Sequence, residues 1–159
     1  MFQYSIRIFD TANGYMSIDG AFMGGWEMCY WNTENSNKLV AVTYWGCGPV
    51  CSTSKLQFYK YSDGNLNEIS LYTVIPKIKE INIKMFVKEG IIENDTEPLF
   101  KRQYSDVYRL PRKGKNIVCE YQWSEYFDIK YIREKLKGDV LELKYINGKF
   151  EFGSVFFNE

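Results

Sequence analysis

The side chains of this sequence whose type and spacing most suggest chemistry are Cys47 and Cys51, in the stretch Trp45-Gly46-Cys47-Gly48-Pro49-Val50-Cys51. Two thiols close together beside a tryptophan could cycle between dithiol and disulfide. A dithiol centre of that kind needs the second thiol within reach of the first at a helix N-terminus, an arrangement served by two intervening residues. Here three intervene, and the flanking pattern is that of a hairpin rather than a βαβ unit. A thiol-dependent redox protein using Cys47 and Cys51 is therefore the alternative reading. The plainer ones are a tight Gly-Pro turn with buried free thiols, or a structural disulfide. The other two cysteines, Cys29 and Cys119, fall in predicted strands, where a thiol packs as a small apolar group. Four cysteines allow three complete pairings, and spacing does not choose among them.

Carboxylates come next. Glu93, Asp95 and Glu97 share one segment, and Glu125 and Asp128 lie near aromatics. Paired acids hydrolyse glycosides when held at a fixed separation. Nothing in the sequence imposes one, so a carboxylate-dependent hydrolase is a second alternative with no acid pair to name. Asp63, Asn65 and Asn67 imitate the start of a calcium loop, but its sixth position is Glu68 instead of glycine and its twelfth is Val74. That segment reads as a hairpin turn. Lys101, Arg102, Arg109, Arg112, Lys113 and Lys115 interleave with Tyr104 and Tyr108, as phosphate contacts and stacking residues would. Twenty basic residues balance twenty acidic ones, however, and no net field recruits nucleic acid. Edge-strand and turn charges are the expectation there.

Histidine is absent from all 159 residues. That removes histidine-ligated zinc, Ser-His-Asp and Cys-His catalysis, and any histidine pH switch. The four cysteines lack paired short spacings, so neither a metal nor another cofactor is expected.

The aromatic content is 18%, with thirteen Tyr, eleven Phe and four Trp. Trp31, Tyr44 and Trp45, with Cys47, Pro49 and Cys51, are the candidate ligand contacts, since Trp and Tyr on hairpins can form a stacking surface for sugar or peptide. Core packing is the plainer role for most of the tryptophans. With catalytic signatures missing, the favoured function is a non-enzymatic binding or interaction module whose partner is a protein or a glycan.

These residues need elements to hold them. Alternation over residues 2–9 puts Phe2, Tyr4, Ile6 and Ile8 on one face of an opening strand. Trp26–Trp31 and Leu39–Trp45 form a hairpin around the polar run 32–38. Residues 46–54 read as a loop, followed by a strand over 55–61, the Asp63-Gly64 turn and a partner strand over 66–74. Helical spacing runs from Ile75 to Phe86, with Pro76 at its first position and Gly90 as its stop, although Ile81, Ile83 and Met85 also alternate. Residues 91–103 read as loop, 104–110 and 116–123 as strands, and 125–137 as a short helix ended by Gly138. DVLELKYI, Asn147-Gly148 and KFEF make a second clear hairpin. The expected fold is a single α+β domain of antiparallel hairpins with one or two helices. At this length roughly 68–70% of the unfolded surface is buried on folding, enough for a core.

The stretches GCGPVCS (46–52), KLQFYKYSDG (55–64) and YRLPRKGK (108–115), spaced as they are, resemble a group of small uncharacterised bacterial proteins of Bacteroides type, mostly exported. The likeness runs from about Gly14 onward. It implies an envelope or secreted location and, since the group has no established activity, no catalytic residue. The opening MFQYSIRIFD has no signal-peptide pattern, and no stretch reaches the roughly eighteen apolar residues of a membrane span. As written the chain reads as cytoplasmic, or as periplasmic or cell-surface if a leader lies upstream of Met1.

Overall fold

The structure is a computed structural model that describes residues 5–20, 24–48, 51–91, 105–122 and 133–158. Two antiparallel meanders carry nearly all of it. The first sheet is six strands in chain order: β1 (Ser5–Asp10), β2 (Tyr15–Asp19), β3 (Gly25–Asn32), β4 (Lys38–Cys47), β5 (Cys51–Ser62) and β6 (Asn65–Ile69). The second holds β7 (Ser105–Arg109), β8 (Ile117–Gln122), β9 (Val140–Ile146) and β10 (Lys149–Phe156), also neighbour to neighbour.

Turn chemistry explains the meanders. Both central residues of the tightest hairpins have positive φ: Asp63 at 50° with Gly64 at 79°, and Asn147 at 48° with Gly148 at 83°. Such turns match the twist of the flanking strands, and Asp-Gly and Asn-Gly are the pairs that adopt them cheaply. The hairpin β3–β4, expected from the two apolar runs around 32–38, pairs Trp26 with Tyr44 and Trp31 with Leu39.

Few short helices accompany the antiparallel sheets, as expected, but their placement needs correction, and the fold is closer to mostly-β than to α+β. The one described complete α-helix is α1 (Leu71–Val74), inside what reads as a strand; β6 stops at Ile69. Over 75–86 there are two separate 3-10 turns, Ile78–Glu80 and Ile83–Met85. Asn82 breaks the helix between them: its side chain accepts from Lys84 N–H at 3.0 Å and donates to the Glu80 carbonyl at 2.6 Å, local bonds that compete with helix continuation. The i,i+2 alternation is the pattern that the structure uses, burying both Ile81 and Ile83. Residues 133–135 are helical and the helix ends before Gly138; the rest of the span 123–132 lies outside the described residues. The expected loop 46–54 is instead a hairpin tip, with β4 reaching Cys47 and β5 starting at Cys51.

One apolar core joins the sheets. From the first come Tyr15, Cys29, Trp31, Ala41 and Phe58, and from the second Ile117, Cys119, Leu141, Leu143 and Phe150. Trp31 is its centrepiece, stacked on Tyr145 at 5.7 Å and edge-on to Phe150 at 5.2 Å, with its indole N–H donated to the Lys115 carbonyl at 2.9 Å. A bulge at Arg7 shifts the register of β1, so Ile6 faces Ile18 while Ile8 faces Ser17. The two isoleucines therefore lie on opposite faces, not on one. Phe2 and Tyr4 lie outside the described residues.

Candidate functional site

The candidate residues are split between two faces of the first sheet. A bulge in the β4–β5 ladder separates Tyr44, opposite Lys55, from Trp45, opposite Thr53. Tyr44 points away from the second sheet and is exposed, while Trp45 turns toward it and is half-buried. Trp31 is only 5% exposed and offers no face to a ligand. Pro49 lies outside the described residues. Sequence adjacency groups these side chains; the fold does not.

At the tip of the β4–β5 hairpin Cys47 and Cys51 are directly opposite and disulfide-bonded. Cys29 and Cys119 are free and buried. Burial pushes both thiols far above the ordinary range, with the Glu27 charge adding to it at Cys29 and Asp106 at Cys119. Neither can serve as a thiolate at neutral pH.

Beside Trp45 lies a charged cluster that the sequence does not announce. The Arg109 guanidinium sits 4.6 Å over the Trp45 ring. It reaches Glu120 at 3.3 Å and Glu27 at 3.8 Å. Glu27 is 8% exposed; burial raises its pKa, and the Leu110 N–H and Arg109 oppose that rise. Tyr15, buried beside it, is pushed up to about 12 by desolvation and by the Glu27 charge.

The cluster's purpose is read from the backbone. Among the described residues strand β7 pairs with β8 on one side only. On its other side the Tyr108 N–H donates to Thr53 Oγ1 and the Leu110 N–H to Glu27 Oε2, both at 2.8 Å. Alternate edge donors are thus capped by two side chains of the first sheet, where a further strand would otherwise be needed. Glu27 and Glu120 are the acids that the fold brings together, and both are committed: Glu27 to Leu110 N–H, and Glu120 to Arg109 and to Gln122 at 3.4 Å. As hydrolase groups they would have to give up structural bonds. Glu93, Asp95, Glu97, Glu125 and Asp128 lie outside the described residues, as do Lys101, Arg102 and Tyr104. Arg112 pairs with Asp10 at 2.8 Å, and Lys113 and Lys115 are exposed in the turn before β8.

The outer face of the first sheet has a different character. Ladder pairing aligns Ile18 with Trp26 and Tyr44, and Met16 with Met28 and Val42. A third row holds Tyr30, Val40 and Tyr59. All are half-buried or exposed, while their alternates Cys29, Trp31, Leu39, Ala41 and Phe58 are buried on the other side. The field continues to Ile6 and Phe9 on β1 and to Tyr61 and Leu66 at the far edge, all exposed. Its rim is polar: Lys38 lies 4.1 Å over the Tyr30 ring, and Gln57 bonds Glu68 at 3.0 Å. Among the described residues no cluster of three or more acid, Cys or His side chains could hold a metal, and no helix is long and apolar enough to cross a membrane.

No family model and no curated protein matches this sequence. Its structure is similar to a domain of an uncharacterised protein from Porphyromonas gingivalis, with a TM-score of 0.71 over 88% of this chain and 71% of that one, at 12% identity. At such identity the likeness is one of fold. It is nevertheless a likeness to an uncharacterised Bacteroidetes protein, in keeping with the Bacteroides-type group that the sequence resembles.

Proposed function

We propose that this protein is a non-enzymatic interaction module of the bacterial cell envelope, docking a protein partner on the outer face of its six-stranded sheet. The observation that carries the reading is the continuous apolar field through Trp26, Met28, Val40, Val42, Tyr44 and Tyr59, facing away from the core. Six strands at about 4.8 Å spacing and four same-face rows make roughly 500 Å² in projection. A patch of that size matches the largest apolar patch of a typical monomer, about 300–600 Å², which is often functional. It is of the order of the roughly 800 Å² that one partner contributes to a standard interface. Aliphatic and Met side chains in the middle rows favour a protein over a glycan, which needs hydrogen-bonding groups beside each ring. Aromatic and Met enrichment with a polar rim is the anatomy of protein interfaces.

A photo-crosslinking side chain placed at Tyr44 or at Tyr59, in cells of the native host, should yield one defined cross-linked species. The same group at Lys137 should yield none, and Val42→Lys should abolish the product. Equal cross-linking from Lys137, or none from either outer-face position, overturns the reading. The envelope location is supported by the Cys47–Cys51 bond, since disulfides persist in oxidising compartments. Alkylation of intact cells should leave those two sulfurs unlabelled, and labelling of both removes the location.

The same bond favours a second reading, a thiol-dependent redox protein. Its sulfurs bridge two strands at a hairpin tip, however, and among the described residues no helix N-terminus lies beside them to stabilise a thiolate. Insulin reduction no faster than that of a Cys47→Ser/Cys51→Ser variant is the expected result.

A further inference from the structure

Between the tips of two hairpins, on the far side of Trp31 from the charged cluster, lies an open cleft of about 910 Å³. The β3–β4 connection supplies Glu34, Asn35 and Asn37, the β9–β10 turn supplies Asn147, and Lys60 and Lys115 close the sides. Tyr145 lies at its wall, held by its stack on Trp31. Two features set this cleft apart from ordinary surface. First, most of its polar side chains are unspent: Asn32 accepts from Lys38 at 2.9 Å, but among the described residues those of Asn35, Asn37, Asn147, Lys60 and Lys115 make no hydrogen bond or ion pair. Second, Asn35 and Asn147 are both in the left-handed region, at φ 56° and 48°. They fix the two loop tips that face each other across the opening.

The chemistry of the lining selects the ligand. Most small-molecule sites are largely apolar with a few polar groups, whereas most of the side chains lining this one are polar. Each carboxamide offers two donors and an acceptor, the set that can bind a pair of neighbouring hydroxyls. Two ammonium groups against one carboxylate leave a net positive charge. We infer that the cleft is a binding site for an acidic saccharide, its hydroxyls on the asparagine carboxamides and its carboxylate on Lys60 and Lys115. This goes beyond the docking face, which lies on another surface and can fail or hold independently.

The test is a heteronuclear NMR titration of the full chain with tetragalacturonate, sialyllactose and a heparin-derived tetrasaccharide, with cellotetraose as the neutral control. At least one acidic probe should shift the side-chain amide resonances of Asn35, Asn37 and Asn147 together, with a dissociation constant on the order of 0.1–1 mM, ordinary for a preformed polar site. The Lys60→Ala/Lys115→Ala variant should weaken that probe at least tenfold with its remaining spectrum unchanged. Both lysines are exposed and have no partner among the described residues, so the variant is expected to fold. Cellotetraose binding as tightly as the acidic probes overturns the assignment. So does inorganic phosphate shifting the same amides at equal concentration, or no shift with any saccharide at 10 mM.

Discussion

At the residue scale the informative groups are buried and half-buried polar ones with a structural task. Thr53 and Glu27 each satisfy a backbone donor on the free edge of β7. Thr53→Val keeps the shape of the side chain and strands the Tyr108 N–H, so it should cost about 1–3 kcal/mol. The check is a urea midpoint that falls with an unchanged m-value. Asp106 faces the opposite problem. Burial raises its pKa to about 6 from 3.8, and among the described residues one of its carboxyl oxygens has no partner. A carboxyl with a raised folded-state pKa holds its proton more tightly when folded. Its contribution is therefore full below pH 4 and is lost as pH rises to 6, by on the order of 3 kcal/mol. Asp106→Asn should remove that slope and leave the protein more stable than wild type at pH 8, as measured by denaturation across pH 3.5–8. Asp10 runs the other way: bonded to Arg112 and Asn13, it is lowered to about 2, so its contribution is present above 3.8 and fades as pH falls toward 2. The two windows do not overlap; Glu27, whose pKa burial also raises, adds a slope of the same sign that persists in Asp106→Asn, so the difference between variant and wild type is the share of Asp106.

At the element scale the β4–β5 hairpin carries the most consequence. Alternation along β4 sends Tyr44 to the outer face and Trp45 to the inner, the extra residue of the bulge lies on β5 between Thr53 and Lys55, and the tip is closed by Cys47–Cys51. A disulfide spanning five residues removes little loop entropy, about 2 kcal/mol, so losing it should weaken the tip without unfolding the sheet. Thiol titration of the air-oxidised protein separates the two cysteine classes. Native protein should show none reactive, denatured protein two (Cys29 and Cys119), and denatured, reduced protein all four. A reactive thiol in the native protein would contradict the burial of Cys29 and Cys119. Much at this scale was legible beforehand. Asn147-Gly148 and Asp63-Gly64 have a local cause, backbone left-handedness, and it works the same in any context. The 75–86 segment was not legible, because the same isoleucines satisfy both a helical and an alternating pattern. Asn82 decides between them only through bonds to its own neighbours.

At the scale of the whole molecule the two sheets depend on one core. Trp31 from the first meander packs on Tyr145 and Phe150 from the second, and Phe58 meets Phe150 at 5.9 Å. Neither sheet can bury its inner face alone, so the two should unfold together. Far-UV circular dichroism and tryptophan fluorescence should give coincident transitions, and Trp31→Ala should lower both by about 3–5 kcal/mol. Two separate transitions would show that the meanders fold independently.

From sequence alone came what local rules control: the antiparallel hairpins, the Asn-Gly and Asp-Gly turns, the packing of Cys29 and Cys119 as small apolar groups, and the absence of histidine chemistry. Those depend on φ preference, side-chain period and residue inventory, none of which needs a distant partner. Only the tertiary structure decided which disulfide forms, which tryptophan is sealed, and which acids meet. Glu27 and Leu110 are 83 residues apart, and no period or spacing marks them as partners. Bulges at Arg7 and in the β4–β5 ladder are decisive in the same way. A one-residue offset reverses every side chain beyond it, so a face assigned by alternation holds only until the first bulge. The Cys47–Cys51 pair was visible as a pair of thiols; its role as a closed hairpin tip, beside Trp45 instead of beneath a ligand, needed the fold.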